Sequence, residues 1–304
     1  SQSNYRSVGR SSIVAGHYST NRLARHCTVD DLRRHLRTHR RRGGNRRVGT
    51  RVKRRRTQSP TKCKQIVLRR AAILETMAGN TSEEGLPFSV ALALQCFINE
   101  YVFPETDEEK AAVEKLQQQI AALVEKKRDV PPALVAALGA YRPLSGFSWA
   151  DDLLRLKWSG DIKKIVIAQV GDVRKEQALR SKIPRLTAIE DKVSQAVRNQ
   201  YEENPYPRWI NAGLSDKPRP IRKVLQAIKV HHNLDAQQFS DKPDVLVAGC
   251  GTGQHALDTA SRFLNCNVLA VDLSLSSLSY AMRKTQELGV TNIEYMQGDI
   301  LRLN

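Results

Sequence analysis

The chain has 304 residues and a formal net charge of +18 at pH 7, enough for one large domain or two ordinary ones. Its 40% hydrophobic content is that of a packed globular protein, and no apolar run approaches the ~20 residues that span a bilayer. The five cysteines are scattered and odd in number, and the N-terminus has no apolar signal segment. This pattern fits a reducing cytoplasm better than a secreted disulfide framework and predicts a cytoplasmic protein.

The positive charge is concentrated in one segment. Residues 1–70 hold 21 of the 49 Lys and Arg residues but two of the 31 Asp and Glu residues, whereas the other 234 residues carry 28 basic and 29 acidic groups. Because residues 1–62 have few apolar side chains and many like charges, we predict a disordered Arg-rich segment. It is interpreted as a basic arm that binds nucleic acid, a solvated tail without function, or a non-native extension from out-of-frame translation.

One stretch of this segment, LRRHLRTH (32–39), is similar to the helix of a two-Cys two-His zinc finger. His35 and His39 have the required spacing. The cysteine pair expected about 12 residues before His35 is missing, and Cys27 stands alone and too near. The sequence therefore predicts no metal site.

Residues 63–230 are predicted to be a helical region. Apolar residues recur there with helical spacing, and Thr106 with Glu109 forms a capping box at the start of one helix. A second box, Thr187 with Glu190, is predicted to cap a later helix. No 34-residue period is visible, so the sequence itself does not indicate tetratricopeptide repeats. The predicted helices span 86–103, 106–127, 131–141, 149–158, 172–183 and 189–204.

The stretch QYEENPYPRW (200–209) combines aromatic residues with two prolines that force extended or turn geometry. Two interpretations stay open. The stretch is either a rigid linker that packs its aromatic rings between two layers, or a lid over a ligand pocket with Tyr201, Arg208 and Trp209 near it.

Residues 231–304 alternate between strand and helix patterns. Strands are predicted at 244–248, 266–274 and 292–301, with helices at 254–263 and 274–289 between them. This alternation is typical of an α/β fold, here the first three strands of a Rossmann-like, doubly wound parallel sheet. Ligands bind beyond the carboxyl ends of such strands, where the glycine loop 249–253, Asp272 and Asp299 all fall.

The spacing of the loop GCGTG discriminates between ligands. No Gly-Lys-Ser/Thr follows it, which excludes a Walker loop. A dinucleotide fingerprint needs a small residue at the position of Gln254, so NAD is disfavoured. Asp272 is placed to accept hydrogen bonds from ribose hydroxyls, and Asp299 from an adenine amino group. Together these features favour S-adenosylmethionine.

The motifs VLVAGCGTG, AVDLS and QGDIL resemble the first three motifs of the class I S-adenosylmethionine-dependent methyltransferases. Many members carry an acid where this chain has Ala248. The stretches at 86–103 and 183–209 are similar to a narrower bacterial group with a methyltransferase domain behind tetratricopeptide repeats. The resemblance covers residues 65–304 and implies S-adenosylmethionine as cofactor and an unknown methyl acceptor. From the lid interpretation, the strand-end positions and the resemblance together, the predicted cofactor contacts are Tyr201, Arg208, Gly249, Cys250, Gly251, Thr252, Gly253, Asp272, Leu273, Asp299 and Ile300.

The family fold has seven strands, and this sequence reaches the third. We therefore expect a fragment that contains half of the cofactor site and is inactive alone. No catalytic residue is assigned, since Cys250 is interpreted as a small turn residue and His255 as a residue of the helix N-terminus. The alternatives are a nicotinamide-binding oxidoreductase and a non-catalytic helical protein with a nucleic-acid-binding arm; a protein partner of the helical region is also expected.

Overall fold

The computed structural model describes residues 13–14, 66–67, 70–74, 85–158, 160–227 and 240–303. Most of the predicted Arg-rich segment, including the zinc-finger-like stretch, lies outside these residues, as do residues 231–239. The described residues from 66 onwards divide into two compact units, one ending at Val173 and one beginning at Arg174. Residues 174–227 belong to the compact unit that contains the sheet. The domain boundary near residue 230 stays a prediction from the sequence.

The helical unit confirms the helices predicted at 86–103, 106–127, 131–141 and 149–158, each of which is a few residues shorter than predicted. It also contains a short helix, Ile162–Val166, that the sequence does not predict. Its core is built on the helix Pro132–Gly139, in which every residue from Ala133 to Gly139 is buried. A helix that is apolar on all sides is stable only when other helices surround it. The helices of this unit are α1 (Leu86–Ile98), α2 (Asp107–Glu125), α3 (Pro132–Gly139), α4 (Ala150–Arg155) and α5 (Ile162–Val166).

A buried glutamine connects separate segments of this unit by hydrogen bonds. Gln169 is fully buried in a wide helical turn (Ile167–Gly171). Its amide nitrogen donates to the backbone oxygen of Gly139 at 2.9 Å, and its amide oxygen accepts from Leu144 N–H at 3.3 Å. Burying this side chain therefore costs little free energy, because its amide nitrogen and oxygen are both hydrogen-bonded.

The second unit confirms the α/β class. Its helices are α6 (Asp172–Leu179, which starts two residues before the boundary), α7 (Lys192–Glu203), α8 (Ile221–Ala227), α9 (Gln254–Arg262) and α10 (Leu275–Glu287). Its sheet consists of β1 (Ile13–Val14), β2 (Asp244–Ala248), β3 (Asn267–Asp272) and β4 (Ile293–Gln297). None of the helices in the described ranges of either unit combines the length and apolarity needed to cross a membrane.

The sheet is parallel, with the order β1-β2-β3-β4. Ala248 pairs with Val271 and Asp272 pairs with Gln297, so the last residues of β2, β3 and β4 lie at one edge. Val245 and Val247 of β2 are buried, as a strand covered by helices requires. The two-residue strand β1 comes from the Arg-rich segment, where the sequence predicts no strand.

The two predicted capping boxes have different outcomes. At α2, Glu109 N–H donates to Thr106 Oγ1 at 3.2 Å and Thr106 N–H donates to Glu109 Oε2 at 2.8 Å, which confirms the box. At α7 the prediction is wrong, because Asp191 is the cap and accepts from the N–H of Val193 and Ser194. Thr187 instead accepts a hydrogen bond from Asp299 N–H.

Candidate functional site

The glycine loop 249–253 turns sharply because three of its residues have a left-handed backbone. The φ angles of Gly249, Gly251 and Gly253 are 67°, 53° and 81°. Cys250 N–H donates to the backbone oxygen of Val271 at 3.0 Å, which fastens the loop to the end of β3. The backbone of the loop is consequently available at the carboxyl edge of the sheet, where no side chain of Gly249 or Gly251 shields it.

Asp272, the last residue of β3, connects two loops. Its Oδ2 accepts from Gly251 N–H at 2.8 Å, and its Oδ1 accepts from Ser274 N–H at 3.0 Å. The carboxylate is half-buried and is held beside the glycine loop. The backbone oxygen of Leu273 accepts from the Gln297 amide at 2.9 Å, so the loop after β3 is also fixed to the end of β4.

Asp299 follows β4 and is 1% exposed. Its N–H donates to Thr187 Oγ1 at 2.7 Å, and its Oδ1 accepts from Leu301 N–H at 3.0 Å. Oδ2 is buried and has no hydrogen-bond partner among the described residues. A buried acceptor without a donor costs free energy, so this atom has an unused capacity to accept a hydrogen bond. The next residue, Ile300, is 45% exposed beside it.

The stretch 201–209 contacts the loops on both sides of the site. The backbone oxygen of Tyr201 accepts from Ser274 Oγ at 3.0 Å, while its side chain is 38% exposed. Trp209 is 7% exposed, and its indole N–H donates to the backbone oxygen of Thr252 at 2.8 Å. Thr252 Oγ1 donates to the backbone oxygen of Pro207 at 2.8 Å. The stretch therefore packs its tryptophan against the glycine loop.

Arg208 lies in a cluster of buried charges. Its guanidinium contacts Glu176 Oε2 at 3.4 Å and lies 5.6 Å from the centroid of the Tyr280 ring. Arg283 Nε binds the other oxygen of Glu176 at 2.9 Å. The sequence places Arg208 at the cofactor, whereas in the structure these contacts tie it to α6 and α10. No spacing rule points to a partner 32 residues away.

Cys250 lies within the glycine loop, and His255 follows it by two residues. Burial, together with the negative charge of Asp272, holds the pKa of the Cys250 thiol well above its ordinary value, so this thiol stays protonated at neutral pH. His255 is exposed on the first turn of α9. Across the part of the chain that the structure describes, no three His, Cys, Asp or Glu side chains come together as a metal site.

Known proteins that are similar to this chain are methyltransferases. Residues 245–304 match the methyltransferase domain family. The probable (S)-tetrahydroprotoberberine N-methyltransferase 2 of Papaver bracteatum is 29% identical over 79 residues, which are 25% of this chain and 22% of that protein. This chain thus spans less than a quarter of the length of that curated relative.

A crystal structure is also similar to this chain, that of coclaurine N-methyltransferase bound to N-methylheliamine and SAH. The identity is 21%, the match covers 64% of this chain and 52% of that chain, and the TM-score is 0.26.

Proposed function

We propose that this chain binds S-adenosylmethionine and takes part in methyl transfer from it. The observation that carries the proposal is the buried, unpartnered Oδ2 of Asp299 at the same sheet edge as the Asp272–Gly251 contact. The match of residues 245–304 to the methyltransferase domain family supports it independently. When bound, the cofactor supplies a methyl group on a sulfonium to a nucleophilic acceptor.

The residues predicted from the sequence have distinct roles in this proposal. The backbone of Gly249, Cys250, Gly251, Thr252 and Gly253 holds the amino-acid end of the cofactor. Asp272 accepts hydrogen bonds from the ribose hydroxyls, for which its half-buried carboxylate is suited. Asp299 Oδ2 accepts from the adenine amino group, and the apolar side chains of Leu273 and Ile300 flank the adenine ring.

The proposed roles of Tyr201 and Arg208 differ. We place Tyr201 at the rim of the proposed cofactor site, because its backbone oxygen accepts a hydrogen bond from Ser274, two residues after Asp272. For Arg208 we propose a supporting role, because Glu176 and the Tyr280 ring occupy its guanidinium. A nicotinamide dinucleotide is disfavoured because Gln254 stands where the dinucleotide fingerprint needs glycine or alanine.

The cofactor assignment is tested by calorimetric titration of the full chain with S-adenosylhomocysteine and, separately, with NADH. We expect binding of the first ligand and none of the second. Asp299→Asn replaces the unpartnered carboxylate oxygen by an amide. We expect this change to lower the affinity for S-adenosylhomocysteine about tenfold or more, because a hydrogen bond to a charged group is lost.

Asp258→Asn is the matched control for this titration, since Asp258 pairs with Arg262 on the surface of α9 and lies outside the three loops. We expect it to bind S-adenosylhomocysteine like the unmodified chain. Binding of NADH in place of S-adenosylhomocysteine, or equal affinities for the Asp299 and Asp258 variants, would reject the assignment.

For the helical region we propose recognition of a protein partner. The resemblance to repeat-bearing bacterial proteins supports this proposal. Large apolar side chains of this unit that are exposed, and so available to such a partner, are Phe88, Val102, Leu154 and Ile167.

A further inference from the structure

The stretch from Tyr201 to Trp209, here named the strap, is bonded at one end to the loop after β3 and at the other end to the glycine loop. We propose that the strap sets the spacing of these two loops and that Trp209 and Glu202 are positioning residues for the cofactor. This inference rests on the proposed function and adds two residues that contact the loops rather than the cofactor.

Trp209 and Thr252 form the glycine-loop anchor. Gly251 and Gly253 have no side chains through which the rest of the protein could hold them, and glycine backbones lose the most conformational entropy on ordering. Thr252 lies between them and is 3% exposed. Its backbone oxygen accepts from the Trp209 indole at 2.8 Å, and its hydroxyl donates to the Pro207 carbonyl at 2.8 Å. Two hydrogen bonds thus fix the loop at Thr252.

Trp209 is itself held firmly. Its backbone oxygen accepts from Tyr280 Oη at 2.6 Å, and the two aromatic rings meet edge to face with centroids 5.8 Å apart. Leu257 of α9 completes this buried cluster. The tryptophan therefore connects the glycine loop to α9 and α10, which flank the sheet.

Glu202 forms the anchor at the other end. Its carboxylate accepts from Leu275 N–H and from Ser276 Oγ, the latter at 2.8 Å. A negative charge at the N-terminus of α10 is stabilised by the helix dipole. The preceding residue, Tyr201, accepts from Ser274 Oγ, and Ser274 N–H donates to Asp272 Oδ1. The strap is in this way connected to Asp272 through a single residue.

The two anchors make a second link between the glycine loop and Asp272, besides the direct bond from Gly251 N–H. Loops that are ordered before the ligand arrives bind it more tightly, because less entropy is lost on binding. Removing one anchor should leave the sheet folded, loosen the glycine loop and weaken cofactor binding. The loss of one neutral hydrogen bond corresponds to an affinity change of about three- to tenfold.

Trp209→Phe in the full chain tests the inference, because it keeps an aromatic ring and removes the indole donor. The control is Trp158→Phe, since the Trp158 indole also donates to a backbone oxygen, that of Leu153 at 2.7 Å, but in the helical unit. We expect Trp209→Phe to lower the affinity for S-adenosylhomocysteine about three- to tenfold. We also expect faster hydrogen exchange of residues 249–253 without ligand, and neither effect in Trp158→Phe.

Thr252→Val and Thr252→Ser are a second pair of variants that tests the inference if Trp209→Phe fails to fold. Valine removes the hydroxyl that donates to Pro207 and should reproduce faster exchange in the loop, whereas serine keeps the hydroxyl and should restore slow exchange. Unchanged loop exchange and affinity in both Trp209→Phe and Thr252→Val would overturn the inference. If the unmodified chain binds no S-adenosylhomocysteine, the proposed function fails, while the exchange measurements still decide the role of the strap.

Discussion

Gly253 lies where the glycine loop enters α9, and both its backbone and its surroundings exclude a side chain. Its φ of 81° is in the left-handed region. A Cβ atom there would lie 2.5 Å from Ala281 Cβ and 3.0 Å from Tyr295 Oη. Tyr295 Oη is in turn bonded to Thr285 Oγ1 at 2.7 Å, so this side chain cannot easily move away. The third glycine of the loop therefore permits the close approach of α9, α10 and β4.

We expect Gly253→Ala to lower the free energy of unfolding by about 2–4 kcal/mol, because left-handed strain and overpacking add at this position. Urea unfolding followed by circular dichroism measures the change. Gly289→Ala is the control, since Gly289 has a φ of 67° with no atom within 4 Å of the added Cβ. It should cost about 1–2 kcal/mol from strain alone. Equal losses in the two variants would contradict the packing argument.

At the scale of elements, α10 depends on acidic residues at both of its ends. Glu202 of α7 binds its first turn, and Glu176 of α6 binds Arg283 within it. Glu287, its last residue, contacts Arg283 and Lys284. Burial alone would raise the pKa of Glu287, but hydrogen bonds and charges from Arg283 and Lys284 outweigh it, and this pKa lies below its ordinary value of 4.5.

This lowered pKa predicts a pH dependence of stability. The contribution of Glu287 is complete above its unfolded pKa near 4.5 and is lost as the pH falls through the lower folded value. Glu287→Gln should therefore flatten the fall in unfolding free energy below about pH 5. Urea titrations from pH 3 to 7 provide the measurement, with Glu294→Gln, an exposed position on β4, as the control. A profile parallel to that of the unmodified chain would contradict this prediction.

At the scale of the whole molecule, the two units have their own hydrophobic clusters. The cluster of the helical unit includes Cys96, and a cluster of the sheet unit includes Cys250. Burial raises the pKa of Cys96 to about 11, although the positive charge of Arg70 lowers it somewhat. Burial also raises the pKa of Cys250. Both thiols are consequently protected from alkylation at pH 8 while their own unit is folded.

The two cysteines therefore report separately on the two units. In increasing urea we expect iodoacetamide to label Cys96 and Cys250 at different midpoints, because each cluster breaks up in its own transition. Peptide mapping by mass spectrometry distinguishes these sites from the other cysteines. Coincident labelling curves would show that the units unfold as one.

The sequence by itself determined strands β2, β3 and β4, the glycine loop and the acids at the strand ends, since these follow from local rules of periodicity and turn chemistry. β2 has the predicted bounds 244–248, and the left-handed glycines lie where the spacing puts them. Tertiary structure decided what the long side chains bind. Trp209 reaches Thr252, Arg208 pairs with Glu176, and Thr187 bonds Asp299 rather than capping α7. Such partners lie tens of residues apart, and only the packing of helices against the sheet brings them within hydrogen-bond distance.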